Sequence, residues 1–149
     1  MKTKQQLYNK CNELIDNRLK IIQNNISDIQ KALQSETKSS AGDKHETGRA
    51  MLQLERERLG NQLAEAKKLQ ESLRKLQTEN TYNKVAFGSL VRTNQLNYFI
   101  AVSLGEIKID NESFYIISPE TPVGKLLVSK SVGDQIAFRN STFVISKIE

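Results

Sequence analysis

The sequence predicts an α+β protein, in which an N-terminal antiparallel helical coiled-coil hairpin precedes a small, mostly antiparallel sheet domain with one short helix. A change of pattern along the 149-residue chain predicts this division. Apolar residues recur at helical spacing in the first half, whereas from Tyr82 onward apolar and polar residues alternate in short segments. The predicted parts are residues 1–80 and residues 81–149, with Thr78–Thr81 as the linker between them.

Two long helices with a polar connection make up the predicted hairpin. Residues 4–78 contain no proline, and residues 35–42 are rich in turn-forming residues. Because helices joined by a short connection fold back antiparallel, arms of roughly 32 residues give a hairpin on the order of 50 Å long. A step of eight residues that skips Arg18 interrupts the heptad spacing of the first arm. The expected apolar positions are Leu7, Cys11, Leu14, Ile22, Ile26, Ile29 and Leu33, and then Leu52, Leu59, Leu63, Ala66, Leu69 or Gln70, Leu73 and Leu76.

Six short segments rich in β-branched and aromatic residues predict the strands of the second part. A turn at Asp110-Asn111-Glu112 separates the third strand from the fourth. Pro122 favours a helix start, so a short helix is predicted over Pro122–Val128. The predicted strands are Phe87–Val91, Tyr98–Val102, Ile107–Ile109, Phe114–Ile117, Gln135–Phe138 and Thr142–Ser146.

The charge of the chain is concentrated in its amino-terminal half. The net charge is +5, of which residues 1–80 contribute +4, from 15 Lys/Arg and 11 Asp/Glu. A basic surplus on an elongated element fits a position close to nucleic acid. The alternative is a solvated helix surface of mixed charge.

Several classes of protein are excluded by composition. Cys11 is the only cysteine, so neither an intrachain disulfide nor a cysteine metal cluster is predicted. No run of 18 apolar residues forms a transmembrane helix, and no apolar stretch after the charged start forms a secretory signal, so a cytoplasmic protein without a membrane partner is expected. His45 is the only histidine, and neither a catalytic triad nor a zinc site is predicted around it.

Two carboxylates lie at the predicted tip of the hairpin. Asp43 and Glu46 are three residues apart, a spacing that places both on one face of a helix. Convergent carboxylates bind hard cations such as Mg²⁺, but two residues supply only half of an octahedral site, and a partner macromolecule must supply the rest. The alternative is a capping box, in which Asp43 accepts from the Glu46 amide and Glu46 reaches back. A second cap at Ser39 or Ser40 would leave Asp43 free.

Two motifs together resemble a known family. Gly42-Asp43-x-x-Glu46 is similar to the acidic tip motif of the Gre family of bacterial transcript-cleavage factors. The run Ser118-Pro119 through Pro122-Val123-Gly124-Lys125-Leu126-Leu127, followed by Lys130-x-Val132-Gly133-Asp134, resembles the carboxyl-terminal signature of that family and is the more specific match. The resemblance covers the whole chain and implies that the second domain is FKBP-like.

The resemblance also implies a mechanism. The sheet domain is expected to dock at the mouth of the RNA polymerase secondary channel, while the hairpin reaches the active site, close to nascent RNA and DNA. There Asp43 and Glu46 would help to hold a second Mg²⁺, and the polymerase itself would hydrolyse backtracked RNA. The chain is thus expected to be an accessory factor rather than an enzyme, and a monomer. The implied docking residues are Ser118, Pro119, Pro122, Val123, Gly124 and Lys125.

The sequence departs from the family pattern directly after Glu46. The family continues with Asn-Ala-Glu-Tyr, whereas this chain has Thr47-Gly48-Arg49-Ala50, so a basic residue replaces the third acid. A relative that occupies the channel and modulates or inhibits the polymerase without promoting cleavage is therefore the main alternative. A prolyl isomerase, suggested by an FKBP-like domain, and a structural coiled-coil adaptor are two further alternatives.

Overall fold

A computed structural model describes residues 2–38 and 43–149, with the side chains of residues 37–38 and 43–46 outside the description. The predicted α+β class is confirmed, since two long helices precede a six-stranded sheet that contains one short helix in its connections. The helices are α1 (Thr3–Lys38), α2 (Asp43–Arg74) and α3 (Pro122–Leu127). The strands are β1 (Leu90–Thr93), β2 (Asn97–Ile100), β3 (Gly105–Ile109), β4 (Glu112–Ile117), β5 (Gln135–Phe138) and β6 (Ser141–Ile148).

The apolar stripe of α1 follows a different path from the predicted one. Leu14 is 41% exposed, whereas Ile15 and Leu19 are buried, with 1% and 8% of their surfaces exposed. From Cys11 the buried positions therefore advance by 4, 4 and 3 residues to Ile22, a repeat of eleven residues. That repeat matches the pitch of a straight helix better than a heptad does. The stripe thus departs from a heptad, but the predicted step of eight from Leu14 to Ile22 is wrong, because Ile15 and Leu19 are buried in that interval.

The stripe of α2 keeps the heptad, and both stripes end before the helices do. Leu59, Ala66 and Leu73 are buried at intervals of seven residues. In the described part of α1, no residue beyond Ile26 is fully buried, and none in the described part of α2 before Leu59 is. Among the described residues, the buried positions of the long helices therefore lie at or before Ile26 in α1 and from Leu59 onward in α2.

The sheet is antiparallel except for one central pair. Its order is β3-β4-β2-β1-β6-β5, and only β2 and β4 run parallel, with Phe99 opposite Ile116. The connection between these two strands contains β3, which pairs antiparallel with β4 through a turn at Asp110 and Asn111. Both turn residues have positive φ, as the predicted turn chemistry requires.

The first strand begins three residues later than predicted. Gly88 has a φ of +96°, and the Ser89 hydroxyl accepts from the Ala86 amide at 3.0 Å, so the chain turns here instead of extending. An added Cβ on Gly88 would lie 3.0 Å from the Tyr82 hydroxyl. Glycine is required both by the backbone conformation and by this close approach.

Helix α3 and the sheet enclose the core of the second part. The α3 residues Val123 and Leu127 are buried against strand residues, and Tyr98 and Phe143 stack with ring centroids 6.0 Å apart. Alternate positions of the strands face this core, which is why the period of two in the sequence located them. The remaining buried members are Val85, Val91, Ile100, Ile136 and Ile145.

The described chain groups into two compact units, Leu14–Gln70 and the combination of Met1–Glu13 with Glu71–Glu149. The first residues of α1 and the last residues of α2 therefore group with the sheet. The division into independently folding domains at residues 80 and 81 stays a prediction. None of the described helices combines the length and apolar character that a bilayer crossing requires.

We expect Ile15→Ala and Leu14→Ala to differ sharply in stability. Loss of the buried Ile15 side chain should lower the free energy of unfolding by about 2–5 kcal/mol, because it leaves a cavity between the helices. Loss of the Leu14 side chain should change it by less than about 0.5 kcal/mol, because that side chain is largely solvated. Urea unfolding followed by circular dichroism measures both. Equal losses would contradict the eleven-residue repeat.

Candidate functional site

The acidic motif lies in the first turn of α2. The helix begins at Asp43, so Asp43 and Glu46 share that turn, as the sequence predicted. Their side chains, and the possible caps Ser39 and Ser40, lie outside the described residues. The capping box and the half-site for Mg²⁺ therefore both stay predictions.

Arg49 crosses between the two long helices next to this turn. Its Nη1 donates to the main-chain oxygen of Leu33, sixteen residues earlier, at 3.3 Å. The side chain is half-buried rather than fully solvated. One residue before it, an added Cβ on Gly48 would lie 3.9 Å from the Glu36 carboxylate, an ordinary contact distance. Gly48 and Arg49, two of the residues that differ from the family pattern, thus lie where α2 contacts α1.

The carboxyl-terminal signature forms a hydrogen-bonded turn that starts α3. The Ser118 main-chain oxygen accepts from the Thr121 amide at 3.2 Å and from the Thr121 hydroxyl at 2.8 Å. The Thr121 hydroxyl in turn accepts from the Gly124 amide at 3.2 Å, which makes Thr121 the N-cap of α3. Pro122 follows at the first helical position, where a missing N–H costs nothing.

Gly124 is required by the space around it. An added Cβ would lie 2.3 Å from the Ser118 main-chain oxygen and 2.7 Å from the Thr121 hydroxyl. Since backbone atoms cannot move aside easily, no other residue fits without displacing the turn. The glycine of the signature is therefore explained by the fold.

The second block of the signature closes a turn between Ser131 and β5. The Asp134 carboxylate accepts from the Ser131 amide at 2.7 Å, and Gly133 has a φ of +91°. The Gly133 amide donates to the Ile145 main-chain oxygen at 2.8 Å, which attaches the turn to β6. Ser131, Gly133 and Asp134 therefore stabilise this turn through their hydrogen bonds and backbone conformation.

The six predicted docking residues divide by exposure. Pro122 and Lys125 are exposed, and Ser118 and Pro119 are half-buried. Val123 and Gly124 are buried, so they shape the segment and offer little surface to a partner. The neighbouring Glu120 and Leu126 are exposed although they were not among the predicted residues. Whether this surface docks on a partner stays a prediction.

Lys4 forms a buried contact that sequence reasoning missed. Only 5% of its surface is exposed, its Nζ donates to the Asn80 main-chain oxygen at 2.7 Å, and it lies 4.8 Å from the centroid of the Tyr82 ring. Desolvation lowers the pKa of its ammonium group, an effect that Glu149 opposes. The signal in the sequence was its spacing, because Lys4, Leu7 and Cys11 follow one another at steps of three and four.

Cys11 belongs to the core, as its position on the apolar stripe predicted. It is fully buried, and burial raises the pKa of its thiol to about 12. Such a thiol is not a nucleophile at neutral pH. Among the described residues, no three His, Cys, Asp or Glu side chains come together as a metal site.

The chain is similar to solved structures of another protein. No family model matches the chain, and no curated protein does. A crystal structure of Thermus aquaticus Gfh1 is similar at 21% identity over 91% of this chain and 92% of that one, with a TM-score of 0.35. A structure of the transcription factor Gfh1 is similar at 20% identity over 91% of both chains, with a TM-score of 0.36.

We expect Gly124→Ala to destabilise the protein by about 2–3 kcal/mol, because the new methyl group overlaps the Ser118 oxygen. Gly48→Ala is the matched control: the methyl group fits there, and replacing a glycine within a helix should raise stability by up to about 1 kcal/mol. Chemical unfolding of both variants makes the comparison. A neutral Gly124→Ala would refute the steric explanation of the signature.

We expect the Cys11 thiol to resist modification in the native protein. With a pKa of about 12 rather than 9.0, its thiolate fraction at pH 8 is roughly 1000-fold smaller than in the unfolded chain. A colorimetric disulfide reagent should therefore react at least about 100-fold more slowly with native than with urea-unfolded protein. Burial favours the protonated thiol, so the pKa of Cys11 is raised in the folded state. The stability that the buried, protonated thiol contributes is therefore present below pH 9 and is lost as the pH rises toward 12. Similar rates in both states would show that the helix pair opens readily at Cys11.

Proposed function

We propose that this chain is a Gre-like accessory factor, which binds bacterial RNA polymerase at the secondary channel and stimulates the polymerase's own cleavage of backtracked RNA. The observation that supports this best is the order of the two motifs on the fold. An acidic pair occupies the first turn of α2, at the connection between the long helices, and the signature residues fold as one turn around α3. In this proposal the protein works in the cytoplasm as a monomer.

The proposed chemistry needs both partners. Asp43 and Glu46 provide oxygen ligands, which Mg²⁺ prefers, but they leave most of its coordination positions to the polymerase, the RNA and water. A second metal in such a site stabilises the charge that develops on the attacking and leaving oxygens. The chain alone is therefore not an enzyme, and it binds Mg²⁺ stably only in the complex.

The proposed docking surface is the exposed side of the signature. Pro122 and Lys125 present the accessible part, with Ser118 and Pro119 at its edge. Val123 and Gly124 act through the shape that they give to this segment, since both are buried. An exposed lysine at the end of α3 favours an acidic partner surface.

A second candidate function is supported by Arg49. In the family pattern an acid stands at this position, whereas here a guanidinium bonds across to the Leu33 main-chain oxygen. A factor with only two acids at its tip occupies the channel but supplies less negative charge for a metal. Such a factor inhibits or modulates elongation without promoting cleavage.

We expect the double variant Asp43→Asn with Glu46→Gln to lose cleavage stimulation by at least about 100-fold, because the uncharged amides no longer attract the metal. Thermal stability should fall only slightly, since a lost helix cap costs about 0.5–2 kcal/mol. Cleavage of RNA in a stalled, backtracked elongation complex is measured with and without each protein. Affinity for the polymerase, measured by pull-down of the same variants, is the control and should not change.

The remaining outcomes separate the alternatives. A wild-type chain that slows elongation without cleavage supports the inhibitor. If the wild-type chain enriches no polymerase subunits and changes neither cleavage nor elongation, the proposal is wrong, and an adaptor becomes the better explanation. A wild-type protein that speeds peptide isomerisation in a protease-coupled assay would support a prolyl isomerase instead.

A further inference from the structure

We propose that Arg49 is a positioning residue, which fixes the first turn of α2 against α1 and so sets the placement of the acidic pair. The inference rests on the proposed function, because it assigns to the first turn of α2 the part that acts on the polymerase. Arg49 stands where the family pattern has an acid, and the inference assigns a function to this basic residue. The basic residue holds the first turn of α2 in place through its bond to α1.

The first observation is the bond across the helix pair. Arg49 Nη1 donates to the Leu33 main-chain oxygen at 3.3 Å. A main-chain oxygen has two lone pairs, so the Leu33 oxygen accepts from the guanidinium in addition to an amide of its own helix. This bond holds α2 against α1 at this level.

The second observation is that the described apolar side chains around this bond are only partly buried. The fully buried positions of the described part of α1 end at Ile26, and those of α2 begin only at Leu59. Leu33 and Leu52 are only half-buried. Because few of the described side chains here are buried, polar contacts such as that of Arg49 contribute a larger share of what keeps the two helices together.

The third observation is the contact between the helices at Gly48. The Glu36 carboxylate lies 3.9 Å from the position that a Gly48 Cβ would occupy. The α1 side chain therefore lies directly over the α2 backbone, one residue before Arg49. Gly48 and Arg49 together define where α2 meets α1, and the turn with Asp43 and Glu46 precedes them on the same helix.

The test compares Arg49→Met with Arg58→Met. Methionine keeps the length, the apolar stem and the helix propensity of arginine but has no donor. Arg58 lies on the same helix and pairs with Glu55 of that helix, so its replacement removes the same charge from α2. Amide hydrogen exchange is measured on the isolated full-length proteins. The effect on RNA polymerase, in cleavage or in elongation, and the affinity for polymerase are measured on the same preparations.

Arg49→Met should raise exchange in residues 43–52 and 29–38 by about threefold to tenfold, the loss expected for one hydrogen bond. It should also reduce the effect on the polymerase at least about fivefold with unchanged affinity. Arg58→Met should change neither measurement. Unchanged exchange in Arg49→Met would overturn the inference, and so would an unchanged polymerase effect or an equal loss with Arg58→Met.

The double variant Gly48→Ala with Arg49→Met distinguishes positioning from helix stability. Alanine strengthens the helix and fits the available space, so it should restore slow exchange. The polymerase effect should remain low, because the bond to Leu33 is still missing. Recovery of that effect would show that Arg49 acts only through helix stability and would overturn the inference. A wild-type chain without any effect on polymerase refutes the proposed function itself, and the positioning role fails with it, even where exchange confirms the contact.

Discussion

The close approach at Gly124 is the constraint on which the second part of the structure depends. With no side chain at that position, the Ser118 oxygen and the Thr121 hydroxyl come close enough to start α3 in a tight turn. The helix then places Val123 and Leu127 over the sheet and completes its core. The motif that suggested a partner-binding surface therefore also stabilises the fold, because it starts α3 and so completes the core. Its exposed residues are held in place by its buried ones.

The sequence was sufficient for features with local causes. The start of α3 at Pro122 and the bounds of β5 agree with the prediction, because a fixed proline φ and a period of two determine them. Features with distant causes were missed. The parallel pairing of β2 with β4 follows from a long-range crossover, and the burial of Lys4 follows from Asn80 and Tyr82, more than seventy residues away. Leu14 was misplaced because a heptad was assumed where the pitch is longer.

The candidate site also combines features with local causes, which the sequence predicted, and features with distant causes, which it did not. That Asp43 and Glu46 share a helical turn was readable from their spacing, since the helix start depends on adjacent residues. The crossing of Arg49 to Leu33 was not readable, because it depends on which residues of two antiparallel helices lie at the same level. Residues that look interchangeable in a polar helix surface thus differ in whether they reach the neighbouring helix.

The two apolar stripes have different periods, and this difference limits how far the long helices can pack. A seam of eleven residues and a seam of seven drift apart around their helices, by about 20° for each heptad in the case of a straight helix. Over several turns the two apolar faces no longer point at each other. The free energy of local opening should therefore decrease along the pair toward the connection, so that heat releases the last turns well before the sheet unfolds.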